Sequence, residues 1–269
     1  MKTIRTGTVG PIELRLVQTD KDFVAVAFQD AREVQRFSSS IADDAWRMLQ
    51  HSLSKEGPNW FGYTGAKLRF LHWFENGFQS ENYLEQERSY KLKAKAELEA
   101  TTPLSVALAG EGHGEAVLRA YRATNLLYPI EKTRMQTLLR GPDADNFVQA
   151  AAGFASGEGK SALKAMEKLL RPHENAKWTV VSYLSFLWQP DRHIFLKPEV
   201  TKDFAARVGH AFARSYSADL DFAIYEDLLD MAEEIRSNFS DLEPRDMIDV
   251  QSVIWVTESY QDGREAPAS

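Results

Sequence analysis

Apolar and polar side chains alternate near the start of the chain. Ile12, Leu14 and Leu16 fall on one side, Glu13 and Arg15 on the other, and Val17 closes the run. This is the period-2 signature of a half-buried strand. Asp20-Lys21-Asp22 reads as a turn, after which Phe23, Val24, Val26 and Phe28 form a second β-rich run. Ile4 to Val9 forms a third, short one before the Gly10-Pro11 break. The expectation is a small antiparallel meander over residues 1–40.

From Ile41 the period becomes helical: Ala42, Ala45, Trp46 and Leu49 share a face behind a Ser39 or Ser40 cap. Glu56-Gly57-Pro58-Asn59 then breaks the chain before an aromatic-dense stretch holding Trp60, Phe61, Tyr63, Phe70, Trp73, Phe74 and Phe78. Within it Ala66 to Leu71 reads as a short helix closed by Asn76-Gly77. Ser80 caps a long helix to Leu98, and further helices are expected at 115–127, 131–139, 143–155 and 161–170, with prolines between them. Trp178 to Leu187 is short enough for a buried helix yet carries β-branched Val180 and Val181. Pro198 opens another helix, and Phe222, Tyr225, Leu228, Leu229, Ala232 and Ile235 mark the clearest amphipathic one. Pro244 to Trp255 closes the pattern as a helix or, second choice, a strand. The fold class expected is α+β, predominantly α-helical: a small N-terminal antiparallel β meander packed on a multi-helix body over 41–262, with 263–269 a disordered tail.

Composition narrows the chemistry. The 269 residues include no cysteine, which removes disulfides, thiolate metal sites and a cysteine nucleophile. No window approaches the roughly 20 apolar residues of a membrane span, and the N-terminus lacks a signal-peptide core. The expectation is a soluble cytoplasmic protein. A net charge of −7 argues against broad nucleic-acid binding but leaves room for local basic faces. Two such faces stand out. Arg88, Lys91 and Lys95 recur at i, i+3 and i+7, and Lys160, Lys164, Lys168 and Arg171 at i, i+4, i+8 and i+11. Each is either a phosphate-tracking surface, with Tyr63 and Tyr90 nearby for stacking, or a plain solvated helix face. Of these, Arg88, Lys91, Lys95, Lys164 and Lys168 are the candidate nucleic-acid contacts.

Other motifs carry two readings each. Gly157-Glu158-Gly159-Lys160-Ser161 ends like a phosphate-binding loop, but Phe154 stands where the first glycine is required. A helix–helix turn fits better. Gly110-Glu111-Gly112-His113-Gly114 is a connector with one possible base. Asp246 and Asp249, three apart, serve either as paired acids or as helix-start residues favoured by the dipole. Asp191 with His193 is a second acid–base candidate. No H-x-H or H-E-x-x-H spacing occurs, so no metal site and no cofactor are expected.

Three stretches together resemble a group of uncharacterised bacterial proteins. They are Trp60-Phe61-Gly62-Tyr63 with Phe74 to Phe78, then Tyr83 through Glu87-Arg88-Ser89-Tyr90-Lys91, and the closing Pro244-Arg245-Asp246-Met247-Ile248-Asp249-Val250-Gln251-Ser252-Val253-Ile254-Trp255-Val256. The resemblance implies a defence or mobile-element setting with nucleic acid nearby, and it brings no catalytic residue. The leading expectation is an interaction or accessory protein, nucleic-acid-associated through the basic faces. The alternatives are a metal-dependent hydrolase using Asp246, Asp249 or Asp191 with His193, and an obligate subunit that docks through exposed aromatics.

Overall fold

The computed structural model describes residues 2–9, 12–29, 31–55 and 61–260. The protein is α+β and predominantly helical, with an antiparallel meander at the N-terminal end. Strands β1 (Lys2–Val9), β2 (Ile12–Gln18), β3 (Phe23–Gln29) and β4 (Arg32–Ser39) pair in the order β1-β2-β3-β4. Leu14 sits opposite Ala27 and Leu16 opposite Ala25, so the alternation in β2 and β3 gathers these four on one face. Helix α1 (Ala42–Lys55) covers that face with Ala45, Trp46, Leu49 and Leu53. The sheet's apolar core therefore includes a helix assigned above to the body. β4 lacks a sequence signal because it is a polar edge strand: Arg32, Glu33, Val34 and Arg36 are all exposed.

The body opens with α2 (Gly62–Trp73). Helix α3 follows as one continuous rod in three segments, Glu81–Tyr83, a π-turn over Leu84–Arg88, and Ser89–Thr101. Ser80 occupies the cap position of α3, but its hydroxyl makes no capping bond. Then come α4 (Gly114–Arg122), α5 (Pro129–Leu139), α6 (Ala144–Ser156) and α7 (Gly159–Leu170). The ambiguous stretch resolves into two short helical segments, Trp178–Val181 and Tyr183–Trp188, buried throughout. Helices α8 (Pro198–Val208), α9 (Phe222–Asn238) and α10 (Met247–Ser259) complete the body. Every residue of α10 from Met247 to Thr257 is buried. A helix buried on all sides has no solvent face to mark with polar residues, which explains its lack of amphipathic pattern.

The aromatic-dense stretch is interior. Phe70, Phe74, Phe78 and Tyr83 are buried and meet edge-on or tilted at 4.9–5.7 Å between ring centroids, the arrangement aromatic quadrupoles favour. Tyr63 is buried as well. These rings are therefore not an exposed docking surface. Trp60 and the expected tail at 263–269 lie outside the described residues. No helix among the described residues is long and apolar enough to cross a membrane.

Candidate functional site

The two acids of the closing segment and two cations of the first basic face meet each other. Asp246 is the N-cap of α10, its Oδ1 accepting from the Ile248 and Asp249 backbone N–H groups. Arg88 donates to Asp246 Oδ1 and Oδ2 at 2.8 and 2.7 Å and to Asp249 Oδ1 at 2.8 Å. Asp249 also accepts from the Tyr83 hydroxyl and from the Arg245 side chain and backbone N–H. Burial alone raises its pKa, but the Arg245 and Tyr83 hydrogen bonds and the Arg88 charge outweigh it and hold the carboxyl below the usual aspartate value. One turn along α3, Lys91 is fully buried and donates to Glu87, Gln251 and Ser252. Tyr260 donates to the other Glu87 oxygen at 2.8 Å.

This is a clasp between α3 and α10, and it corrects the sequence reading at two positions. Arg88 and Lys91 belong to the core and cannot touch a phosphate backbone. The i, i+3 spacing rightly put them on one face, but that face is the inner one. Asp246 and Asp249 are consumed by arginine, tyrosine and backbone donors. Lys95 is half-exposed, and Lys164 and Lys168 are exposed on the outer face of α7; the structure does not gather the five cations into one surface.

The remaining motifs resolve as connectors. Gly157 closes α6 with φ 102° and Gly159 opens α7, so the glycine-rich stretch is a helix–helix turn. Gly114 lies so near α5 that a Cβ would stand 2.2 Å from the Leu139 carbonyl oxygen, a packing reason for that glycine. His193 is buried and Asp191 exposed; the histidine's Nε2 lies 3.1 Å from the Ala155 carbonyl and its Nδ1 3.2 Å from the Tyr225 hydroxyl.

A polar cleft of about 550 Å³ lies between the sheet unit and the body, with Arg5, Trp46, Tyr63, His210, Asp230 and Glu234 on its walls. Ligand atoms of His210, Asp230 and Glu234 fall within 4.8 Å of one another, a convergence of distant residues that sequence spacing hides. Donor chemistry argues against a metal there. The Phe212 backbone N–H donates to His210 Nδ1 at 3.1 Å, so the ring proton resides on Nε2, which faces Asp230 Oδ2 at 3.5 Å. That nitrogen offers a proton where a metal needs a lone pair. Glu234 meanwhile accepts from the Tyr63 hydroxyl at 2.7 Å.

A second cleft, of about 360 Å³, sits in the body where α5 and α8 begin. Pro129 and Pro198 start these helices, prolines suiting a first turn that lacks intrahelical N–H bonds. Tyr128, Lys177 and Lys197 immediately precede three of the helical segments and stand at the cleft with Trp178, Val200, Tyr216 and Ala218. Several of its polar groups meet at Glu131, which is buried. Its carboxylate accepts from the Tyr128 backbone N–H and the Thr179 hydroxyl, each at 2.9 Å, and lies 3.6 Å from Lys177 Nζ. The Trp178 indole N–H donates to the Ser217 carbonyl at 3.1 Å. Lys197 Nζ rests over the rings of Trp255 and Tyr128, 4.2 and 5.9 Å from their centroids. None of these residues was singled out in sequence. Only the Lys197-Pro198 junction offered a signal, and it reads there as a helix start. Compared with protein-family models, curated proteins and solved structures, the chain matches none of them.

Proposed function

We propose that this chain is an accessory protein that binds a small molecule, and that the 360 Å³ cleft at the starts of α5 and α8 is its site. The observation that carries the reading is the division of the cleft walls. Tyr128, Trp178, Val200 and Tyr216 supply apolar and aromatic surface, while the polar groups are concentrated around Glu131 and Lys197. Ligand sites in proteins share that division: apolar walls give affinity and a few placed polar groups give orientation. The two acids and the buried cations of the α3–α10 clasp saturate one another, which favours a binding role over hydrolysis.

The test is a fragment panel followed by ligand-observed NMR on the wild-type chain and on Val200→Trp, which fills the cleft from a half-buried wall position. Several fragments are expected to bind the wild type and to lose binding in the variant, with Tm little changed. Fragments that bind both proteins equally would place the ligand elsewhere and overturn the reading.

A further inference from the structure

The charges around this cleft pair off, except one. Lys177 lies against Glu131 at 3.6 Å, and Glu199 is held by Lys202 at 3.1 Å. Lys197 has no carboxylate within 4 Å among the described residues; aromatic faces are its contacts. It is only half-exposed, and desolvation without a counter-charge disfavours an ammonium. Burial accordingly lowers its pKa, offset in part by the more distant carboxylates of Glu131 and Glu87 and reinforced by Lys91. One further feature carries the same sign. Helix α8, eleven residues long, starts at the next residue with no side-chain cap, so its positive end lies at the cleft.

Resting on the ligand-site reading above, we propose that the cleft takes a small organic monoanion, a flat apolar body bearing one carboxylate or sulfonate, with Lys197 as its counter-ion. The anion supplies the charge that Lys197 lacks, and the body lies against Tyr128, Val200 and Tyr216. At about 360 Å³, the cleft lies at the small end of ligand sites, with room for an acidic group on one or two rings.

The probes are 1-naphthoate and its neutral isostere 1-naphthamide, titrated by ligand-observed NMR. Naphthoate is expected to bind the wild type at least about tenfold more tightly than naphthamide. Lys197→Met should abolish that preference without lowering Tm, Lys197→Arg should retain it, and Val200→Trp should block both compounds. Equal binding of both compounds, each blocked by Val200→Trp, would overturn the anion class while leaving the ligand site standing. Binding of neither compound, with fragments of other classes still blocked by Val200→Trp, would have the same consequence. Naphthoate binding that survives Val200→Trp would overturn both.

Discussion

The His193 imidazole lies in the interior, between the Ala155 carbonyl and the Tyr225 hydroxyl. Burial is the main cause that pushes its pKa down, to about 4; the Ala155 bond opposes it and the Arg192 charge adds to it. A histidine in the unfolded chain titrates near 6.5. Between these values the unfolded state binds more protons, so stability falls as the pH is lowered from about 6.5 to about 4. The group then accounts for a loss on the order of 3 kcal/mol, with no further loss below that window. Urea denaturation across this pH range is expected to show the slope, and His193→Gln should flatten it. An unchanged slope in the variant would assign the loss elsewhere. At this scale the sequence speaks where partners are local. Asp246 caps the helix it opens, as its place after Pro244 suggests. His193 depends on Tyr225, more than thirty residues away, and no spacing reveals that pairing.

Among the elements, α3 shows how a regular pattern misleads. Its inner stripe is Glu87, Lys91, Ala94 and Leu98, at helical spacing, but two of the four carry charge. A reader of hydropathy therefore assigns the inner face to solvent. The π-turn over Leu84–Arg88 adds a residue to the local turn and shares its inward direction between neighbours. Glu87 and Arg88 both end up buried as a result. The structural meaning of the clasp is testable. Arg88→Met leaves Asp249 buried beside Tyr83 without one of its cations, and loss of one partner from a buried pair costs about 3–5 kcal/mol. Lys164→Glu, on the exposed face of α7, should stay within about 0.5 kcal/mol. Chemical denaturation of the two variants gives the comparison, and equal values would show that the clasp contributes nothing. Strand β4 escapes the sequence for the opposite reason: its inner side carries Gln35, Phe37 and Ser39, one apolar residue between two polar ones, so the alternation of burial leaves no hydropathy pattern.

At the scale of the whole molecule, the described residues form two separate apolar cores. One consists of Leu14, Leu16, Ala25, Ala27, Ala45, Trp46, Leu49 and Leu53 between sheet and α1. The other runs through the body from Tyr63 to Tyr260. The class of the fold, meander first and helices after, was legible because both periods are strong in long segments. The division between cores was not, because α1 has the helical period of the body but packs on the sheet. A cluster that small gives modest protection. Backbone amides of β2 and β3 are therefore expected to exchange with deuterium well before those of α10, read by mass spectrometry of peptides from each. Simultaneous exchange would mean that the two cores open as one.

Helix α10 lies enclosed on all sides by segments that precede it in the chain. A ribosome delivers those segments first. The sheet and α1 are complete in sequence once residue 55 is outside the exit tunnel, and domains and sub-domains emerging first can begin to fold while synthesis continues. The body must instead wait, with Glu87, Arg88 and Lys91 uncovered and unanswered, until the strand of sequence that neutralises them has been translated. Its assembly therefore cannot finish before α10 has emerged, and any nascent chain stalled before Pro244 presents a charged, unfinished groove to the chaperones around it.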